Sequence, residues 1–379
     1  MRILQVVGGM NRHGTETWLM NVLRSIDRTK FQMDFLVHTT EPQAYENEIR
    51  SLGSRVIPCL NPSKPWAYAR NLKQILKQGS YDVVHSHIHY YSGFVLRLAH
   101  QAGVPLRIAQ AHTVSRMGTH TGVLRQAYCY LMKGLISSHA TAGVAVSQRA
   151  AAAFFGLNWQ TDSRWQVMHC GIDLLPFKTP IDTAVVRSEL GISSNTFVIG
   201  HVGRFYEPKN HAFLVEIFSE IVKREPNACL LLVGEGPLRE VIERKISQLG
   251  LSQQVIFAGL RADVHRLMLG AMDVFLFPSL YEGLGLVLIE AQAAGVSCIF
   301  SDVVPEEADV IQMLTQRLSL SQTPSEWAEA VLAMRKKSSI IVFPNASEEL
   351  MQTEFNILNS LKNLDRLYTR ASHSDCVVP

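Results

Sequence analysis

Short apolar runs alternate with stretches of helical spacing along almost the whole chain. Ile3 to Val7 is rich in β-branched residues and predicts a strand. Glycines follow at Gly8, Gly9 and Gly14. Trp18, Leu19, Val22, Leu23 and Ile26 then keep helical spacing. The alternation continues with predicted strands over 32–38, 55–58, 81–85, 106–111 and 140–147. Predicted helices cover 45–52, 67–78, 90–102 and 124–138, and Ser147 is a good N-cap for another. The stretch 174–182, with Pro176 and Pro180, reads as a linker. Beyond it the rhythm restarts, with strands over 197–202, 228–233 and 255–259 and a helix around 213–223. Strand, glycine loop, helix is the opening of a doubly wound α/β domain.

The stretch from Asp273 to Asp302 organises the second half. Apolar runs over 274–277 and 296–300 predict buried strands. Between them Leu286, Ile289 and Ala293 keep helical spacing, and Gly295 reads as a C-cap. The helix entry at Gly283 to Gly285 lets backbone N–H groups approach an anion at the positive helix end. Glu282 lies just before the helix. Glu290 lies inside it, roughly 8 Å past its start at about 1.5 Å per residue. Singly, the two read as a solvated loop residue and a partly exposed helix residue. Together they suit an extended ligand with a diol at each end of an anionic centre. Upstream, Arg204 and Lys209 lie five apart in a loop after a strand, and both can turn toward one anion.

Composition narrows the class. A chain of 379 residues is long for one core, so two domains are expected. With 47% hydrophobic and 18% charged residues it is globular, and a net charge of +3 is too small to argue nucleic-acid binding. No run of 18 apolar residues occurs, and the N-terminus enters a strand without a signal-peptide pattern. Six scattered cysteines without a C-x-x-C read as reduced and mostly buried, as in a cytoplasmic protein. His85, His87 and His89 invite a metal reading, but no further ligand pattern follows. The amphipathic stretch 124–138 carries Arg125 and Lys133, with Arg107 and Arg116 upstream. It reads as a domain helix with a basic edge, or as a surface for acidic lipid or a lipid-diphosphate acceptor.

The run E-G-L-G-L-V-L-I-E-A-Q-A-A-G, from Glu282 to Gly295, resembles the E-x7-E signature of retaining glycosyltransferase family 4. Leu284 stands where that family usually has Phe, and Gln292 where it has Met, both mild departures. The resemblance implies that Glu282 addresses the donor sugar and Glu290 the nucleotide ribose. It extends to H-G-T-E, which supplies Gly14 and Glu16, and to G-R-x-x-x-x-K-N, the family's diphosphate clamp, which supplies Arg204 and Lys209. It further covers Glu235 in G-E-G-P, and Gly259, Leu260 and Arg261, where relatives cradle the base. It implies that His112 reaches the diphosphate or donor sugar. His169 and Cys170 replace the Pro and Asn usual before G-I-D, which puts a donor contact from that loop in doubt.

The resemblance implies a GT-B fold, two Rossmann-like α/β domains with parallel sheets facing a central cleft. The expected domains are 1–175 on the acceptor side and 176–346 for the nucleotide-sugar, with a tail over 371–379. A C-terminal helix over 347–370 is expected to cross back to the first domain. Its apolar face is Met351, Phe355, Leu358, Leu361, Leu364 and Tyr368.

The implied activity is transfer of a sugar from a nucleoside-diphosphate-sugar to a glycan or lipid-linked acceptor, with retention, in exopolysaccharide, capsule or other surface-glycan synthesis. Glu282, His112, Arg204 and Lys209 are the catalytic candidates. Gly14, Glu235, Gly259, Leu260, Arg261, Gly283, Leu284, Gly285 and Glu290 join all of these but His112 as donor-binding candidates. No metal or cofactor is expected, because the cationic side chains and the helix entry stabilise the leaving diphosphate. The expected location is the cytoplasm, with peripheral contact at the inner membrane face. A nucleotide-sugar epimerase of the same fold, or a degenerate sugar-nucleotide-binding subunit, are the alternatives.

Overall fold

A computed structural model describes residues 1–114, 122–338 and 345–369, and of 337 and 338 the backbone only. It divides into two units, Met1–Gly171 with the chain from Ile357 onward, and Ile172–Asn356.

The first unit runs β1 (Arg2–Val6), α1 (Gly14–Ser25), β2 (Gln32–Val37), α2 (Glu46–Ser51), β3 (Val56–Pro58), α3 (Pro65–Gly79), β4 (Val83–Ser86), α4 (Ser92–Gln101), β5 (Leu106–Ala111), α5 (Val123–His139), β6 (Ala142–Ala145), α6 (Gln148–Phe155) and β7 (Trp165–Val167). The second runs α7 (Thr183–Glu189), β8 (Phe197–Val202), α8 (His211–Arg224), β9 (Ala228–Val233), α9 (Arg239–Gln248), β10 (Val255–Gly259), α10 (Val264–Gly270), β11 (Val274–Phe277), α11 (Leu286–Ala293), β12 (Ser297–Ser301), β13 (Thr315–Leu318), α12 (Pro324–Ser338) and α13 (Ala346–Met351). The last helix, α14 (Ile357–Thr369), belongs to the first unit.

Both sheets are parallel. Their orders are β3-β2-β1-β4-β5-β6-β7 and β10-β9-β8-β11-β12-β13. Each order reverses once, at β1/β4 and at β8/β11. Ligands of open α/β sheets bind beyond the carboxyl ends of the strands flanking such a reversal. β9 and β11 read as unbroken apolar runs because helices cover both faces; Leu230 to Leu232 and Val274 to Phe277 have no exposed surface. In the second unit Trp327 of α12 is fully buried, edge-on to Phe213 of α8.

Three expectations change. α1 begins at Gly14, so Gly14 and Glu16 lie in its first turn rather than in a loop. α11 begins at Leu286, with Gly285 left-handed at φ 90° just before it, so Gly283 to Gly285 form the approach rather than the first turn. The final helix is two. Thr353 Oγ1 accepts the Phe355 N–H and Asn356 Nδ2 donates to the Met351 carbonyl, and these local bonds replace helical ones. The restart at Ile357 rotates the apolar face. Leu358 is exposed, and Ile357, Ser360, Leu364, Leu367 and Tyr368 are buried. Only α14 packs on the first unit, where it meets α1; α13 packs on α11 in the second. The tail over 371–379 lies outside the described residues.

Candidate active site

At the β8/β11 reversal, the loop after β8 and the loop after β11 are fastened together. Lys209 Nζ donates to Glu282 Oε1 at 2.5 Å and lies 4.7 Å from the centre of the Phe277 ring. The Glu282 side chain is only 11% exposed, so it is a buried ion-pair partner and not the solvated loop residue that it reads as singly. Asn210 takes the left-handed conformation at φ 53° and donates from Nδ2 to the Pro278 carbonyl. The Leu280 N–H donates to the Pro208 carbonyl at 2.7 Å. Arg204 is exposed and lies over the Tyr206 ring at 4.5 Å. The two expected cations therefore differ: Lys209 is held by a carboxylate, and Arg204 lies exposed on an aromatic ring.

Beside them three strand-end turns stack through their backbones. The Gly203 N–H donates to Val233 O, the Phe205 N–H to Glu235 O, and the Gly234 N–H to Gly259 O. Gly234 has φ 138°, and a Cβ on it would stand 2.2 Å from the Gly203 carbonyl oxygen. No residue but glycine allows that approach. Glu235 pairs with Arg239, the first residue of α9. Gly259 is left-handed at φ 65° and Leu260 is half exposed. Arg261 is held by Asp263 through two bonds of 2.7 and 2.8 Å, so it is not a free cation.

Gly283, Leu284 and Gly285 are buried before α11. Glu290 is partly buried on that helix, and among the described residues its carboxylate has no hydrogen-bonding partner. Burial pushes it up to about 7. It follows Leu286 by four and Val287 by three, the two half-exposed residues of the first turn, so it shares their face. Gln292 proves more than a mild departure. Its amide donates to Leu288 O and Ala308 O and accepts from the N–H groups of Val310 and Ile311. It anchors α11 to the segment behind it.

At the β1/β4 reversal the first unit presents neutral groups. His112 follows β5 and His87 follows β4, with His87 Nδ1 2.9 Å from His112 Nε2. His87 Nε2 lies 2.8 Å from Gln5 Oε1 on β1, and Gln5 Nε2 donates to Tyr368 Oη of α14 at 3.2 Å. Tyr368 Oη also lies 3.0 Å from His85 Nδ1. Cys170 sits 3.9 Å from His112 Nδ1, so the residue that departs from the family pattern packs against the candidate histidine. Burial pushes His85 and His112 down to about 3. The H-x-H-x-H alternation breaks at His89, whose φ of 53° turns it toward Tyr90 and Phe154. Among the described residues no three His, Cys, Asp or Glu side chains converge as metal ligands. Gln5 and Tyr368 were not legible as site residues, because a buried strand glutamine and a helix tyrosine carry no motif.

The basic edge of α5 also changes. Arg107 donates to the carbonyls of His139, Val104 and Pro105, and Lys133 to that of Ala153. Arg125 stays exposed, and Arg116 lies outside the described residues. The helix also exposes apolar residues: Val123, Leu124, Tyr130 and Leu131 are 58–88% exposed and lie on the side away from buried Cys129, Met132 and Ile136. Among the described residues no helix is long and apolar enough to cross a membrane.

Comparison with known proteins agrees with this architecture. Residues 12–174 match the model of Glycosyltransferase Family 4, and residues 182–348 that of Glycosyl transferases group 1. The chain is 37% identical to EpsF of Bacillus subtilis (strain 168), which is named as a glycosyltransferase, over 99% of this chain and 98% of that one. It is 25% identical to the capsular polysaccharide biosynthesis glycosyltransferase CapH of Staphylococcus aureus, over 89% and 92% of the two chains. The crystal structure of Anabaena Alr3699/HepE in complex with UDP-glucose superposes with a TM-score of 0.82 at 19% identity, covering 98% of this chain and 100% of that one.

Proposed function

Since this chain belongs to glycosyltransferase family 4, we propose that it transfers a sugar, with retention, from a nucleoside-diphosphate-sugar to the hydroxyl of a glycan or lipid-linked acceptor. The pathway is exopolysaccharide or capsule synthesis, the setting of its relative CapH. The observation that carries the donor site is Glu290. A partly buried carboxylate without a partner among the described residues, raised to about 7, is a binding group waiting for a diol.

Glu290 takes the ribose and Glu282 the sugar, while Gly14, Glu235, Gly259, Leu260 and Arg261 line the nucleotide. As the glycosidic bond breaks, negative charge grows on the diphosphate. Lys209, an inward-turned Arg204 and the amides of Gly283 to Gly285 stabilise it, without a metal ion. The cost of breaking the 2.5 Å Lys209–Glu282 pair is offset as each partner gains a ligand group. Retention follows from attack on the face the diphosphate leaves, with His112 beside the donor. The apolar face of α5 rests on the membrane surface that carries the acceptor.

A thermal-shift screen tests the reading, with UDP, GDP, ADP, TDP and their sugar conjugates, with Mg²⁺ and with EDTA. One nucleotide should raise Tm, equally in Mg²⁺ and EDTA, and not in Arg204→Ala or Glu290→Ala. A chain that shifts with none of them is not a transferase of these donors.

A further inference from the structure

The hydrogen bonds that end on His112 can be read atom by atom. Gln5 Nε2 donates to Tyr368 Oη and lies 3.8 Å from Met33 Sδ, which sets the amide nitrogen toward α14. Gln5 Oε1 can only accept, so His87 Nε2 carries a proton. Burial, then the neighbouring His85 and His112, hold His87 well below its usual value. The ring is neutral and its Nδ1 is a lone pair. His112 Nε2, 2.9 Å away, must therefore donate. His112 is neutral as well, so its Nδ1 is an acceptor. Against it, at 3.9 Å, lies the Cys170 thiol, which burial keeps protonated. A reversed Gln5 amide would reverse every one of these bonds and leave the proton on Nδ1 of His112.

We propose that Tyr368, Gln5 and His87 are positioning residues that hold His112 as its Nε2–H tautomer. His112 then keeps an Nδ1 that can only accept, turned to the Cys170 thiol. The tautomer holds whether or not His112 lies beside the donor. The relay reaches from α14, the last helix of the chain, to the end of β5, so a C-terminal residue decides what the histidine offers.

The test is long-range ¹H–¹⁵N correlation on the full chain labelled in histidine, with His112 assigned by its loss in His112→Gln. At pH 7 both His87 and His112 should be protonated at Nε2 alone. A His112 protonated at Nδ1, or at both nitrogens, overturns the proposal. Tyr368→Phe keeps the ring and frees the Gln5 amide, so a second, Nδ1–H population of His112 should appear; an unchanged spectrum removes Tyr368 from the relay.

Discussion

The two sheet reversals share a topology and differ in electrostatics. At β1/β4 the groups are neutral and bonded to one another: Gln5, His87 and His112 form a chain in which each nitrogen faces a partner. At β8/β11 the groups are charged and incompletely paired: Lys209 shares Glu282, Arg204 lies on an aromatic ring, and Glu290 has no partner among the described residues. A neutral, satisfied network is rigid and orients a ligand. A charged set with capacity left over binds an anion and answers to the charge that develops on it. On the proposed function, one topology supplies orientation in one unit and electrostatic stabilisation in the other.

The sharpest way to break that division is to remove charge from the second unit. Arg204→Ala and Lys209→Ala should each lower kcat by about 100- to 1,000-fold, or about 2.7–4 kcal/mol of transition-state stabilisation, as for loss of one oxyanion donor. Initial rates at saturating donor measure it. Lys209→Ala also strands Glu282, so Lys209→Ala/Glu282→Gln should fold better than Lys209→Ala alone. A transfer rate unchanged in Arg204→Ala would remove it from the clamp.

The next effect is structural. Gly234→Ala forces a Cβ against the Gly203 carbonyl at a φ of 138°. It should cost about 3 kcal/mol in chemical denaturation. Because the displaced backbone belongs to the β8 loop, nucleotide affinity should fall with stability. A variant that loses stability but binds nucleotide normally would separate the stacked turns from the site.

The sequence shows the scaffold better than the couplings. Strands over 106–111, 197–202, 228–233, 255–259 and 274–277 coincide with β5, β8, β9, β10 and β11; β9 and β11, buried at every residue, leave the unbroken apolar runs of strands covered on both faces, and the others stay mostly apolar. α9 buries only Ile242 and Ile246, too little periodicity to mark it. The motif residues Arg204, Lys209, Glu282 and Glu290 were legible, and the direct Lys209–Glu282 bond was not, since 72 residues separate the partners in sequence. Gln292 and Cys170 read as departures from a pattern. In three dimensions Gln292 is bonded at every polar position, and Cys170 packs on His112. Such compensations lie between elements and have no period to read.

Glu290 gives a smaller effect with a definite sign. Its folded value of about 7 exceeds the ordinary 4.5, so the folded state binds a proton more tightly than the unfolded one. The stability this contributes is full below about pH 4.5 and is lost as pH rises through 7. Glu290→Gln removes that slope, so it should be more stable than the parent at pH 8 by about 1–3 kcal/mol and little different at pH 4. Urea denaturation at the two pH values decides it. The variant should bind nucleotide more weakly despite its stability, as expected where a binding group is held at a cost. Equal slopes in parent and variant would mean that Glu290 is solvated and the charged site has no unsatisfied member.

The least effect on the fold belongs to α5, and there the neutral unit extends its character to the surface. Leu124 and Leu131 are exposed and, among the described residues, support no core. Leu124→Asp and Leu131→Asp should change stability by no more than about 0.5 kcal/mol. Both should abolish co-sedimentation with vesicles. The chemistry of the face also sets the lipid dependence. An apolar face should bind zwitterionic vesicles and keep part of that binding in salt, with the exposed Arg125 adding a salt-sensitive preference for anionic ones. Binding that requires anionic lipid and vanishes in salt would assign the contact to other cations, and the apolar face of α5 would then be left for a protein partner.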